Sequence, residues 1–148
     1  MTQQKKQLPQ HCKLALKITH ANRSKCTLLA NLFTSKAPGE FGQCFKFNHP
    51  YYTIYAGNPV TVEEFVEGTF RKYVNNDGKM GKQPQGSNTD IKTIFEKAEC
   101  LVRFSYVESS KKLMFLDLQG AEYNLYDPEI ATTQWLQDNE IYFCCGNL

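Results

Sequence analysis

The stretch Leu113–Pro128, which reads LMFLDLQGAEYNLYDP, constrains this chain more than any other. It opens with four apolar residues, a short run typical of a buried strand. Polar groups begin where the run ends: Asp117, Gln119 and, ten residues after the first aspartate, Asp127. Gly120 lies between them and accepts backbone angles that other residues resist. The pattern predicts a strand whose carboxyl end presents two carboxylates and one amide.

Two interpretations of these polar residues stay open on the local pattern. Carboxylate and amide oxygens suit Mg²⁺, which is usually held by one or two carboxylates together with substrate phosphates. Alternatively, Asp117 caps a turn and Asp127–Pro128 opens another, because aspartate side chains stabilise turns. The local pattern alone favours the turn interpretation, since short motifs often match by chance.

Composition bounds the answer to one domain. The 148 residues are 41% apolar and 22% charged, which is ordinary for a globular protein. The net charge of +2 comes without a dense basic stripe, so we expect no nucleic-acid partner. No long apolar run occurs, so we expect neither a signal peptide nor a membrane segment. The six cysteines are scattered without a CxxC pattern. They predict free thiols and a cytoplasmic location.

The amino-terminal part divides into a tail and the start of the domain. Residues 1–12 are expected to be a disordered tail, because they are polar and unpatterned, and residues 13–148 form the domain. The run 13–18 (KLALKI) alternates, which predicts a strand with Lys17 as a candidate phosphate-binding lysine or an ordinary strand lysine. Apolar residues at helical spacing predict a helix over 21–35, ended by Pro38 and Gly39.

The middle of the chain mixes strands and helices, which predicts an α+β fold. Residues 44–47, 51–55 and 60–65 are predicted to form an antiparallel meander. Phe70 and Tyr73 are expected on a short helical turn, and residues 79–88 in a surface loop. A second helix is predicted over 91–104, capped by Thr89 or Asp90. Residues 109–112 are expected to turn into the opening strand, and residues 129–137 are expected to be helical.

Two segments together resemble a known family. They are VEEFVEGTFRKYVNNDG at 62–78 and FLDLQGAEYNLYDPEI at 115–130. In order and spacing they are similar to the alpha-type protein kinases, an atypical kinase family. That family has a glutamate-containing hinge, an EG-x-F-x-KY-x-N-N-x-G segment, a helix, and a D-[IL]-Q-G strand end followed by D-P. The resemblance covers residues 28–148, because LLANLF near the first helix and the terminal GNL also look similar to family segments.

The resemblance implies an alpha-kinase fold, with a meander in the amino-terminal lobe and the catalytic strand end in the carboxyl-terminal lobe. It implies an ATP- and Mg²⁺-dependent kinase that phosphorylates serine or threonine of a protein. Asp117 aligns with the catalytic base, and Gln119 and Asp127 with the metal-binding pair. Asn76 aligns with an asparagine near the phosphates, and Glu63 with the hinge at the adenine edge.

The departures from the family pattern imply an alternative. Arg103 stands fourteen residues before Asp117, where the family has a zinc-binding histidine, and Cys144 and Cys145 do not match the other ligands. The resemblance therefore implies that the structural zinc is absent. Lys17 matches the family's ATP-binding lysine only if its connection to the helix is shortened, and no glycine-rich loop precedes it. The domain thus looks shortened at both ends. The alternative is an inactive alpha-kinase-like scaffold that binds nucleotide or protein.

Overall fold

The computed structural model describes residues 10–86 and 89–132, with side chains from Arg23 onward. The chain opens with helix α1, Gln10–Lys36, which contains neither glycine nor proline. The helix ends where the Ala37 N–H donates to the Phe33 carbonyl at 2.8 Å, before a 3₁₀ turn over Gly39–Phe41. The predicted helix over 21–35 and its end are therefore confirmed.

The predicted strand over 13–18 is wrong, since these residues lie within α1. Leucine, alanine and lysine are strong helix formers, and alternation over six residues is too short to outweigh that preference. Residues 10–12, expected in the tail, open the same helix. Residues 1–9 lie outside the described part of the chain.

The predicted meander is correct only for its hairpin. Strands β2 (Tyr51–Tyr55) and β3 (Asn58–Val62) pair antiparallel. Ala56 and Gly57 join them with φ of 48° and 81°, as a two-residue hairpin turn requires. The first predicted strand leaves the meander.

That strand, β1 (Lys46–Phe47), pairs in parallel with β7 (Asn124–Tyr126). The reason is burial: the Phe47 ring lies in the core, 5.9 Å from the Phe115 ring in an edge-to-face contact. Burial of a phenylalanine ring stabilises this position by roughly 1.5–3 kcal/mol. The exposed hairpin offers no such gain.

A four-stranded sheet occupies the centre of the molecule, in the order β1–β7–β6–β4. Strand β4 is Phe70–Lys72 and β6 is Gln119–Ala121, and the two pair antiparallel. The helical turn predicted around Phe70 is therefore wrong. Side chains alternate along β4, so Phe70 and Lys72 share one face. Pairing with β6 also satisfies backbone N–H and C=O groups that a single helical turn would leave without hydrogen bonds.

Helix α2, Thr89–Glu108, confirms the second predicted helix and extends it. The chain then turns through residues 109–112 into β5 (Leu113–Leu116), the predicted buried strand. β5 pairs antiparallel with β8, Glu129–Thr132, so the helix predicted over 129–137 is wrong where the structure describes it. Ile130 and Ala131 are each 1% exposed, and β5 supplies the backbone partners of this short segment.

The core lies between α1, α2 and the sheets. Its largest fully buried side chains include Tyr73, Phe95, Phe115, Leu101 and Leu118. The Tyr73 ring, directly after β4, meets the Phe95 ring of α2 edge-on at 5.3 Å. Within residues 10–86 and 89–132, no helix has both the length and the apolar character required to cross a membrane.

Candidate functional site

Asp117 leaves the core at the end of β5. Phe115 and Leu116 are buried, and so is Leu118, whose carbonyl accepts bonds from the backbone N–H groups of Tyr73 and Val74 at 2.8 and 3.1 Å. Between these buried neighbours, Asp117 has a φ of 49°, in the left-handed region. Aspartate tolerates that region better than most residues. The Asp117 carboxylate lies at the edge of the core, with its Oδ1 buried, while Leu118 lies fully inside the core.

The Asp117 carboxylate forms an ion pair with Lys72 through its Oδ1. The Asp117 side chain is 14% exposed and that of Lys72 is 38% exposed, so the pair lies at the edge of the core. Lys72 lies in the segment where the sequence predicted a short helical turn, and it was not named there as a site residue. The three residues Phe70, Arg71 and Lys72 could have indicated its position, because neighbouring side chains on a strand point to opposite faces. Lys72 would then lie on the other face from Arg71.

Gln119 lies beside this ion pair. In the sheet register Gln119 is directly opposite Lys72 on β4 and opposite Tyr126 on β7. Residues directly opposite in paired strands share one face of the sheet, so Gln119, Lys72 and Tyr126 face the same way. Gly120 and Leu125 occupy the other face, toward the core. The structure thus brings Gln119 close to the Lys72–Asp117 pair.

Asp127 follows β7 at the same end of the molecule. Asp117 follows β5 directly and Asp127 lies two residues before β8, at the end of the ladder where Leu116 pairs with Glu129. Asp127 also has a left-handed φ, of 44°, and its side chain is 76% exposed. Two aspartates with this conformation therefore lie next to the same end of the β5–β8 ladder. Strained backbone of this kind often occurs at functional sites.

A buried arginine, Arg23, contacts both Asp127 and Glu63, and the sequence did not indicate it as a site residue. Arg23 on α1 is 5% exposed. Its Nη2 donates to Oε1 of Glu63 at 2.6 Å and its Nη1 to Oε2 at 3.3 Å. The same Nη2 lies 3.4 Å from Oδ1 of Asp127. Glu63, expected at the hinge, thus turns its carboxylate to α1.

Tyr52 on β2 belongs to the same neighbourhood. Burial raises the pKa of its hydroxyl, while the positive charge of Arg23 lowers that pKa and the carboxylates of Glu63 and Asp127 raise it further. The phenol is therefore neutral at physiological pH. Through Tyr52, the exposed hairpin contributes one polar group to the cluster that Arg23 forms with Glu63 and Asp127.

Asn76 lies on the turn next to Asp117. The Asn75 carbonyl accepts the N–H of Gly78 at 3.0 Å and the N–H of Asp117 at 3.4 Å. Asn76, the next residue, is exposed at the tip of the turn. Asp77 is engaged locally, since the hydrogen bonds from Lys79 lower the pKa of its carboxyl group. The turn thus offers Asn76 as its free amide, on the side of the molecule where Asp117 emerges.

Lys17 and Arg103 are placed differently from the other predicted residues. Lys17 lies on α1 instead of the predicted strand, and its side chain is outside the described part, so its role stays a prediction. Arg103 is exposed on α2. In the part of the chain that the structure describes, no group of three histidine, cysteine, aspartate or glutamate residues could hold a metal ion. Cys144 and Cys145 lie outside that part, and the absence of zinc stays a prediction.

Asp117, Gln119 and Asp127 are suitable ligands for Mg²⁺. Their carboxylate and amide oxygens are the hard-oxygen groups that this ion prefers, and all three residues lie on or close to the paired strands β5–β8 and β6–β7. A thiol or imidazole ligand is not part of the set. A Mg²⁺ site usually keeps only one or two protein carboxylates and completes its shell with phosphate and water. Three protein ligands are therefore sufficient.

Comparison with known proteins gives the family and the fold. The sequence pattern of the alpha-kinase family matches residues 3–147. The human transient receptor potential cation channel subfamily M members 6 and 7 are each 31% identical over 97 residues, which is 66% of this chain and 4% or 5% of theirs.

Two solved structures share the fold. The alpha-kinase domain of myosin heavy chain kinase A, solved in complex with ADP, superposes with a TM-score of 0.66 at 21% identity, over 92% of this chain and 50% of that one. An alpha kinase from Entamoeba histolytica gives 0.62 at 19% identity, over 90% and 55%. The predicted alpha-kinase fold is confirmed, and the chain spans about half the length of these solved chains.

Proposed function

This chain belongs to the alpha-kinase family, and we propose that it is a kinase domain that transfers phosphate from ATP to a serine or threonine of a protein. The observation that carries the proposal is the Lys72–Asp117 ion pair at the end of β5, with Gln119 opposite Lys72 in the sheet and Asp127 next to the same end of the β5–β8 ladder as Asp117. The alpha-kinase domain of myosin heavy chain kinase A, which shares this fold, has been solved with ATP. That complex supports ATP as the nucleotide.

In the proposed mechanism, Asp117 orients the substrate. Phosphoryl transfer requires little covalent help from a protein, and catalysis comes chiefly from positioning and charge stabilisation. A carboxylate at a strand end can accept a hydrogen bond from a serine or threonine hydroxyl and take its proton. The left-handed backbone of Asp117 and its contact with Lys72 hold that carboxylate in one orientation.

Lys72 contributes a positive charge at the site. Its ammonium has three donors, and it forms an ion pair with Asp117. At 38% exposure, the side chain keeps access to solvent and to a ligand. A fixed cation next to the reacting hydroxyl stabilises negative charge that develops on phosphoryl oxygens.

Gln119, Asp127 and Asn76 are proposed to hold the metal and the phosphates. Mg²⁺ bound with ATP neutralises charge on the phosphoryl oxygens. Gln119 is fixed by ladder pairing on both sides, so its amide is presented by a rigid element. Asp127 is 76% exposed, so a cation from solvent can reach it. Lys17 is proposed as the ATP-binding lysine on the family resemblance alone.

The proposed setting is the cytoplasm. Cys26, Cys44 and Cys100 are free thiols, which fits a reducing compartment. The proposed partners are ATP and a protein substrate with an accessible serine or threonine.

Phosphate transfer from labelled ATP tests the proposal. The purified chain is incubated with γ-labelled ATP, Mg²⁺ and a basic threonine-containing protein, alongside Asp117→Ala. We expect label on serine or threonine with the wild type and none with the variant. Asp77→Ala is the matched control, because this nearby carboxylate pairs only with Lys79 among the described residues.

A second measurement separates loss of catalysis from loss of binding. Mg²⁺·ATP should raise the melting temperature of both the wild type and Asp117→Ala, since a ligand that binds the native state stabilises it. A thermal shift without any transfer by the wild type contradicts the kinase and supports a nucleotide-binding scaffold. Absence of a thermal shift contradicts both.

A further inference from the structure

Arg23 connects two acids that the family resemblance assigns to opposite ends of the nucleotide. Glu63 belongs to the segment that resembles the adenine-side hinge, and Asp127 to the proposed metal pair. They are 64 residues apart in sequence, and the Arg23 guanidinium touches both. Its contact with Glu63 is two-pronged, at 2.6 and 3.3 Å, which fixes the plane of the carboxylate as well as its distance.

Burial makes the Glu63 contact rigid. The side chain of Arg23 is 6% exposed and that of Glu63 is 22% exposed. Arg23 lies three residues before Cys26, which is fully buried on the same helix. A buried guanidinium must keep its partners because an unpaired buried charge is strongly unfavourable. The position of Glu63 relative to α1 is therefore fixed.

The contact with Asp127 has a different character. Its length is 3.4 Å and the Asp127 side chain is 76% exposed, so it adds little to the stability of the fold. It does restrict where the Asp127 carboxylate points. It also places a positive charge beside an oxygen that would bind a cation. Arg23 thus opposes cation binding at Asp127 while holding the carboxylate in place.

We propose that Arg23 is a positioning residue of the phosphotransfer site, one that holds the hinge acid Glu63 and the metal-binding acid Asp127 in fixed positions relative to each other. This inference rests on the proposed function. It carries a specific expectation: without the guanidinium, the cation binds more tightly and transfer is slower. A purely structural arginine would weaken both binding and transfer.

The test measures the Mg²⁺ dependence of ATP binding by isothermal titration calorimetry, together with kcat, in Arg23→Met and Arg23→Lys. In Arg23→Met we expect half-saturation at about threefold to tenfold less Mg²⁺, because a repelling charge near the cation is removed. We expect kcat to fall at least about tenfold. In Arg23→Lys, which keeps the charge without the fork, half-saturation should stay within about twofold and kcat should be intermediate.

Two further variants keep the inference testable if Arg23→Met does not fold. The double variant Arg23→Met/Glu63→Gln removes the unpaired buried carboxylate, and it is compared with Glu63→Gln alone. The same decrease in half-saturating Mg²⁺ is expected between these two. Lys36→Met is the matched control on the same helix, since Lys36 pairs with Glu108 at 2.6 Å on an exposed surface. Its Mg²⁺ dependence and kcat should equal those of the wild type.

The outcomes separate the inference from the proposed function. A lower melting temperature with a half-saturating Mg²⁺ concentration that is unchanged or higher means that Arg23 is only structural, and it overturns the inference while the kinase stands. A wild type that binds Mg²⁺·ATP without transfer overturns the kinase, and the Mg²⁺ shift in Arg23→Met then supports the positioning of the metal acid. A wild type that does not bind Mg²⁺·ATP overturns both.

Discussion

Replacement of Gly120 by alanine should disrupt the sheet that carries the site. Gly120 lies on β6 opposite Leu125 of β7. A β-carbon at this position would overlap the backbone carbonyl oxygen of Asn124, and it would lie 2.9 Å from the Asn124 carbonyl carbon and 3.0 Å from the Leu125 Cα. All three are backbone atoms of the paired strand, so no side-chain rotamer relieves the overlap. The two strands must separate.

The cost follows from that geometry. Overpacking typically costs about 1–3 kcal/mol and sometimes more, and a clash with paired backbone belongs at the upper end. We therefore expect a loss of about 3 kcal/mol in the free energy of unfolding. For a chain of 148 residues this corresponds to a decrease of roughly 6–12 °C in the melting temperature. Gln119 and Asp127 flank the two strands, so Mg²⁺·ATP binding should weaken as well.

Urea denaturation followed by circular dichroism measures the effect, with two matched glycine controls. Gly39→Ala should change stability by less than about 0.5 kcal/mol, because its β-carbon meets no described atom within 4 Å. Gly57→Ala should cost about 1–2 kcal/mol, because its φ of 81° is unfavourable for alanine although the space is open. A Gly120→Ala variant as stable as Gly39→Ala would refute the reasoning.

Three more perturbations give separate expectations. Ser105→Ala should lose about 1–3 kcal/mol of stability in urea denaturation, because the buried Phe115 N–H loses its acceptor at 3.0 Å; a loss below 0.5 kcal/mol would contradict that role. Burial raises the pKa of Tyr73 to about 12, above its ordinary value of 10.0. Tyr73 therefore contributes fully to the free energy of unfolding below pH 10. As the pH rises towards 12, the free energy of unfolding falls by about 2–3 kcal/mol. Melting curves between pH 9 and 12 should therefore show a smaller decline for Tyr73→Phe than for the wild type, and equal declines would contradict the assignment. Lys72→Met should lower kcat by about 100-fold in the labelled-ATP assay, because a charge at the reacting centre is removed, and an unchanged kcat would exclude that role.

The sequence predicted the elements that depend on local patterns. Both helices have apolar residues at helical spacing, β5 is a short apolar run and the hairpin turn contains Gly57, so neighbouring residues alone identify them. Strands β4 and β8 have three and four residues and exist because distant strands pair with them. A window of such length contains too little periodicity to distinguish a strand from a helical turn.

The candidate site divides in the same way. Asp117, Gln119 and Asp127 were predicted as site residues because their segment resembles the D-[IL]-Q-G and D-P pattern of the alpha-kinases, whereas the local pattern alone favoured a turn. Arg23 was missed because its partners are 40 and 104 residues away, and nothing next to it in the chain indicates burial. Lys72 was recognised only as part of a matching segment, since its pairing with Asp117 depends on the register between β4 and β6.

The most direct test of the account is the single-turnover rate of phosphate transfer by wild type and Asp117→Asn, at saturating Mg²⁺·ATP and protein substrate. Asparagine keeps the size of the side chain but cannot accept the hydroxyl proton. The account predicts a decrease of about 100-fold or more in the transfer rate, with the affinity for Mg²⁺·ATP within about threefold of the wild type. Equal transfer rates in the two proteins would contradict it.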